Sequence, residues 1–393
     1  MILKEKLNIV LYVNNFLPKV GGREMVVFHL ANELDKLGHQ VRVLGPTGWW
    51  RYRKVQFNYP VHRWPTLRGL FSEQVDFVNL LLDTTLFGCD VIHAHNTYPT
   101  GYSAIWLKKL KNIPLVITPH GVDIQTIPEI GHGLRLDSKL RPKVDRAVQS
   151  AELLTAISAN VENAILEAGA SNKKIRTIPN GVDISRFKCQ NKKNSREYFG
   201  LQEETKLILT VGNYERRRGH EELVKALPII LKNEPNARLI IVGKGTEVLQ
   251  PLINELNIED EVVLTGQISP PSFEVPDEDK LAEIYCSSDI YVSAGVNEDA
   301  EGLSLALLDG MAAGLQIVAT DISGNRDIIK DGVSGFLVPP GDVDQLADRL
   351  IKALQDNELS MRMIAESKKT IEKYSWREIA SQYVDVYREC MSM

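Results

Sequence analysis

Cysteine is scarce: Cys89, Cys189, Cys286 and Cys390 are the only four in 393 residues, and no two form a CxxC pair. That scatter excludes a zinc ribbon, and it argues for reduced thiols in a cytosolic compartment rather than a disulfide framework. Long apolar runs are missing as well. No stretch approaches the ~20 residues of a membrane span. The N-terminal LNIVLYVNNFLP is broken by Asn14 and Asn15 and lacks a small-residue cleavage site, so it reads as a first buried strand and not as a signal peptide. There is no short-period repeat and no low-complexity tract. His93 and His95 in IHAHN have no further ligands at zinc spacing, so no metal is expected.

What is present is ordinary in bulk: 44% hydrophobic and 25% charged residues, a soluble globular composition. The length exceeds one ordinary core and suits two domains. The net charge of −5 is divided unevenly, about +6 over residues 1–185 and −11 over the rest. Two domains with different surfaces explain this, and so does a first half that meets something anionic.

Apolar β-branched runs alternate with helical patterns. Strands are expected at 8–15, 40–45, 90–96, 114–120, 153–158 and 175–181, with amphipathic segments between them such as EMVVFHLANELDKLG, closed by Gly38. The pattern restarts at 206–213, 237–245, 262–266, 290–295, 316–321 and 335–341. Continuous apolar strands covered on both faces imply parallel, doubly wound α/β sheets, which bind ligands at the carboxyl ends of their strands. The expected division is a domain at 1–185, a polar linker at 186–205, a second domain at 206–373 and a helix at 374–393 that returns to the first.

Three stretches carry chemistry. In PKVGGREMVVFHL, Gly21 and Gly22 stand where a strand turns into a helix, and bare amides there suit an anion; a plain tight turn is the alternative. TVGNYERRRGHEEL places Arg216, Arg217 and Arg218 after a strand, and Arg218, beside Gly219, is the best candidate for a diphosphate. In DAEGLSLALLDGMAAG, a helix from 302 to 313 would set Glu301 at its mouth and Asp309 two turns along. Eight steps of rise give about 12 Å between the acids. That spacing suits a nucleotide sugar laid along a helix, a hexose at one acid and a ribose at the other. The amides of Gly302 and Leu303 would hold the phosphates. An ordinary cap at Glu301 and a surface acid at Asp309 are the structural alternatives.

Together with HG at 120–121, PNGVD at 179–183, and the continuation through QIVATDISGNRDII to GVSGFLVPPGD, these motifs resemble the retaining glycosyltransferases of family four. The resemblance spans the chain and implies a GT-B fold, two facing Rossmann-like domains with a C-terminal helical tail. It implies that His120 lies near the transferred sugar, that Glu301 contacts the sugar hydroxyls and that Asp309 holds the ribose. Its cationic turn falls on Asn213, where arginine is usual, and on Arg218, where lysine is usual. Gln316 replaces a usual proline, and Asp309 is shorter than the usual glutamate.

The implied activity is transfer of a hexosyl unit from a nucleoside diphosphate sugar to an acceptor hydroxyl on a glycan, a lipid-linked acceptor or a small molecule. His120, Glu301 and Arg218 would be catalytic. Gly21, Gly22, Asn213, Arg218, Glu301, Gly302, Leu303 and Asp309 would bind the donor. No cofactor, metal or nucleic-acid partner is expected. GWWRYRK sets Trp49, Trp50 and Arg51 as acceptor-side residues, suited to the cytoplasmic membrane face or to a glycan. An epimerase and a non-catalytic nucleotide-sugar-binding protein are the rival readings.

Overall fold

In the computed structural model, the described residues are 4–17, 21–46, 57–65, 72–128, 131–187, 196, 200–202, 204–268, 279–298 and 302–393. They form two units, Met1–Asn180 with Trp376–Met393, and Gly181–Ser375.

Unit 1 is built on seven parallel strands: β1 (Asn8–Val13), β2 (Gln40–Pro46), β3 (Val61–Trp64), β4 (Val91–His95), β5 (Leu115–Thr118), β6 (Leu153–Ala156) and β7 (Ile175–Thr177). Their order is β3-β2-β1-β4-β5-β6-β7. Val10, Ile92, Leu115 and Ile117 enter a core with Leu107, Val144 and Val148 from the covering helices. The helix Trp376–Ser392 belongs to this unit. It buries Trp376, Ile379, Ala380, Tyr383, Val384 and Tyr387, a stripe at helical spacing. The Trp376 ring stacks on His29, and Arg176 pairs with Glu389.

Unit 2 has six parallel strands: β8 (Lys206–Val211), β9 (Ala237–Val242), β10 (Val262–Gly266), β11 (Ile290–Ser293), β12 (Gln316–Thr320) and β13 (Phe336–Val338), ordered β10-β9-β8-β11-β12-β13. Alternate residues feed two cores. Ile208, Leu239, Val292 and Val318 meet Leu223, Leu227 and Leu350 on one face. Leu209, Ile240, Tyr291 and Ile317 meet Leu307, Leu308 and Met311 on the other. A strand buried on both faces reads as a continuous apolar run, which is why the central strands stand out in the sequence; β10, at the edge, is only partly buried.

One expectation needs correction. Cys286 is disulfide-bonded, while Cys89 and Cys390 are free; Cys189 lies outside the described residues. Distance along the chain says nothing about which thiols folding brings together, and that is why the scattered spacing misled.

Candidate functional site

In each sheet the strand order reverses once, between β1 and β4 in unit 1 and between β8 and β11 in unit 2. Ligands of doubly wound folds bind outside the carboxyl ends of the strands at such points. The candidate residues gather in the loops there or next to them.

In unit 1, Gly21 follows β1 and precedes the helix Gly22–Lys36, with no side-chain cap on the first turn. A Cβ at Gly21 would lie 2.5 Å from Glu24 Oε2, so that buried carboxylate occupies the space a side chain would take. Arg23 Nη2 donates to Glu24 at 2.9 Å and Nη1 to Asn96 Oδ1 at 2.9 Å. Asn96, just after β4, has φ 139°, a strained conformation for a residue with a side chain and one that collects at functional sites. After β5, the His120 amide donates to Asp123 Oδ1 at 2.8 Å, and Thr97 N donates to Asp123 Oδ2 at 2.7 Å. Asp123 is fully buried and so ties the loops of β4 and β5 together. Its burial raises its carboxyl pKa against the pull of these amides. Burial, reinforced by the Arg23 guanidinium, holds the His120 imidazole well below the ordinary histidine range, so it is neutral at pH 7.

In unit 2, Asn213 follows β8. Its Oδ1 accepts the Lys244 amide at 3.0 Å, which pins the β8 loop to the β9 loop. The polar atom at the usual arginine position is therefore engaged in holding backbone. Arg216–Arg218 form a short 3₁₀ turn. Arg216 is exposed and pairs with Glu221 at 2.8 Å, while Arg217 pairs with Glu215 at 2.7 Å and its carbonyl accepts Val296 N at 2.9 Å. The Arg218 guanidinium lies over the backbone of Gly212, where a Cβ would meet its Nη1 at 2.6 Å.

The acidic helix starts later than expected. It runs Leu305–Ala312 with Ser304 at its N-cap, so Gly302 and Leu303 precede it. The Ser304 backbone is extended and its side chain makes no cap hydrogen bond among the described residues, and the Gly302 carbonyl is packed against Gly324. Glu301 lies outside the described residues, and the 12 Å helical separation does not apply to it. Trp49, Trp50 and Arg51 also lie outside them. Asp309 sits one turn inside the helix, where Arg186 Nη1 donates to its Oδ2 at 3.3 Å. Arg186 Nη2 donates to Asp279 Oδ1 at 3.0 Å, and Asp279 caps the helix Lys280–Ser287 through Ala282 N. Burial pushes the Asp309 carboxyl up to about 6 despite the pull of Arg186. Gln316, the other departure, is buried on β12 with its Nε2 against Met363 Sδ at 3.0 Å.

The structure thus places His120, Gly21 and Gly22 at the carboxyl edge of one sheet, and Asn213, Arg218, Gly302, Leu303 and Asp309 at or behind that of the other. Arg23, Asn96, Asp123 and Arg186 were missed. The signal available for Asp123 was its place three residues after His120, the spacing at which an acid reaches back to an earlier backbone N–H, as in a capping box. Arg186 had no local signal.

Two all-parallel doubly wound units with a returning C-terminal helix define a GT-B protein. Residues 191–370 match the glycosyl transferases group 1, and residues 20–186 match glycosyltransferase family 4. An uncharacterised glycosyltransferase of Methanocaldococcus jannaschii is 30% identical, over 95% of this chain and 96% of its own. The N-acetyl-alpha-D-glucosaminyl L-malate synthase of Bacillus anthracis is 26% identical, over 99% and 98%. An Anabaena protein solved in complex with UDP and glucose superposes with a TM-score of 0.78 at 18% identity, over 97% and 99%. The chain belongs to the group 1, family 4 glycosyltransferases.

Proposed function

We propose that this glycosyltransferase moves a hexosyl unit from a nucleoside diphosphate sugar to an acceptor hydroxyl with retention of anomeric configuration and without a metal. The observation that carries this reading is in unit 2. A guanidinium, Arg218, follows β8, and a carboxylate, Asp309, lies on the helix after β11, the two strands at the point of reversal. The cation suits a diphosphate, and the acid can accept the paired hydroxyls of a ribose. The complex of the Anabaena relative with UDP and glucose is in keeping with this donor. In the reaction the C1–O bond to the β-phosphate breaks and a C1–O bond to the acceptor forms on the same face. The acceptor proton passes to the departing phosphate oxygen. Arg218 stabilises the charge that develops there, and neutral His120 contacts the sugar by hydrogen bonding.

The test is a panel of nucleoside diphosphate sugars with and without glycan, lipid-linked and small hydroxyl-bearing acceptors, following nucleotide release and product anomer. Acceptor-dependent release with a retained anomer, unchanged by EDTA, is expected. Inversion, or full loss on chelation restored by magnesium or manganese, would overturn the mechanism.

Asp309 gives a pH prediction. Its folded-state pKa of about 6 stands above the ordinary carboxylate value, so it is ionised at pH 7.5 and largely protonated at pH 5. Deprotonation therefore costs folding stability as pH rises through about 6, and it creates the charged acceptor. Binding of the free nucleoside, which has no titrating phosphate, should weaken on going from pH 7.5 to pH 5. Asp309→Asn should bind weakly at both values. Calorimetry reads this directly, and a pH-independent wild type would remove the ribose from Asp309.

On the acceptor side, the helix Ser72–Phe87 exposes Val78, Leu82 and Leu86 at four-residue spacing, while its Asp83 is buried against Arg42. Exposed Lys109 and Leu110 lie on the neighbouring helix, whose Lys111 reaches Thr85 at 2.6 Å. An apolar ridge beside lysines suits an anionic membrane surface. Among the described residues no helix is long and apolar enough to cross a membrane. Co-sedimentation with phosphatidylglycerol vesicles at low salt, lost in Leu82→Glu/Leu86→Glu, is the expected outcome. Equal sedimentation of the variant would remove this surface from the proposal.

A further inference from the structure

Three histidines form a column at the carboxyl edge of β4 and β5. The His93 and His95 rings lie 4.0 Å apart between centroids, and the His95 and His120 rings stack at 5.4 Å and 22°. His93 and His95 are fully buried. Both nitrogens of His93 are engaged, Nδ1 with the Tyr387 hydroxyl at 2.7 Å and Nε2 with Thr118 Oγ1 at 2.6 Å. His95 is different. Its Nδ1 faces His120 Nε2 at 3.1 Å, and its Nε2 is buried with no hydrogen-bond partner among the described residues.

That asymmetry fixes where the protons sit. Burial keeps both rings neutral, so a single proton lies between them. If His120 donated it, His95 would carry its own proton on Nε2, leaving a buried N–H with no acceptor. If His95 donates from Nδ1, its Nε2 is a bare lone pair. Orphaned buried donors are rarer and costlier than under-satisfied acceptors. The second arrangement wins, and it leaves the His120 proton on Nδ1.

We infer that His95 is a positioning residue: its Nδ1–H holds His120 in the Nδ1-protonated tautomer, so that His120 serves the transferred sugar as a hydrogen-bond donor and not as a base. This rests on the proposed placement of His120 beside the sugar. It assigns the second histidine of IHAHN a task in orienting the ring above it. The Asp123 carboxylate, which fixes the His120 backbone, leaves the ring orientation to His95.

Long-range ¹H–¹⁵N correlation spectra of the wild-type protein labelled at histidine nitrogen read the tautomer directly, with His120→Gln identifying the signal. The inference requires an Nδ1-protonated neutral His120 at pH 7.5. An Nε2-protonated or charged ring overturns it, and the tautomer is read on the wild-type protein, the variant serving only to assign the signal. Kinetics give a second readout. His95→Leu should lower kcat about tenfold or more with nucleoside diphosphate affinity unchanged. His95→Asn, whose amide nitrogen stands near the Nδ1 position, should recover much of the loss. If asparagine does no better than leucine, His95 merely fills space. If His120→Ala leaves turnover unchanged while the tautomer is as expected, the placement of His120 fails and the histidine pairing stands.

Discussion

Arg218→Ala is expected to lower kcat about 10²- to 10³-fold on the best donor of the panel, the usual cost of removing one preorganised group aimed at developing charge. The loss should be confined to phosphate. Nucleoside affinity should be unchanged, while nucleoside diphosphate affinity should fall by the ~1.5–3 kcal/mol of a charge-assisted contact. Arg216→Ala and Arg217→Ala should do much less. The first guanidinium is exposed and paired with Glu221, and the second is paired with Glu215 while its backbone holds Val296. Arg218 lies across Gly212, the residue before the Asn213–Lys244 tie, and its ion pair from Nε to Glu215 Oε1 is a longer one, at 3.7 Å. Calorimetry with nucleoside and nucleoside diphosphate separates the cases. Equal losses for both ligands would mean that Arg218 supports the loop and not the phosphate.

The strands of both sheets were legible because burial on two faces forces continuous apolar runs, as in NIVLYV and KLILTV. β3 was missed for the converse reason. It is a four-residue edge strand, VHRW, only partly buried at every position, so its sequence carries a mixed pattern. Strand ends were read long, since residues such as Asn14 and Asn96 continue the chain past the ladder without pairing. The helix at 305 was read three residues early. Gly302 and Leu303 belong to the apolar pattern, but the Ser304 backbone is extended and breaks the helix there.

The candidate site was legible where its residues fall in strand-to-helix loops, because the parallel sheet brings those loops to one edge whatever their separation in sequence. Its electrostatics were not legible. Arg186 reaches Asp309 across 123 residues, and nothing local to either marks the pair. Asn213 appears in the sequence as the loss of a cation. In the structure its side chain replaces charge with a backbone tie between two loops, a role that follows from which loop lies alongside.

Gly219→Ala should be among the most damaging single-methyl changes in unit 2. Gly219 joins the 3₁₀ turn Arg216–Arg218 to the helix His220–Asn233 at φ +68°, a conformation that costs other residues roughly 1–2 kcal/mol. The larger cost is steric. A Cβ here would fall inside the contact radius of the Ala294 carbonyl oxygen, on the loop after β11. The atom in the way is backbone, so either the β8 loop or the β11 loop must move. Both border the proposed donor site, and nucleoside diphosphate affinity should fall together with stability. Gly245→Ala is the control, since its φ of +81° carries the same conformational cost while, among the described residues, its Cβ would meet only Tyr214 Cβ, at 3.5 Å. Denaturant unfolding of the two variants should differ by well over 1 kcal/mol, because strain from close approach adds to the shared φ cost. If the two lose equal stability and Gly219→Ala keeps full nucleotide affinity, the β8 and β11 loops are not in the contact that positions Arg218.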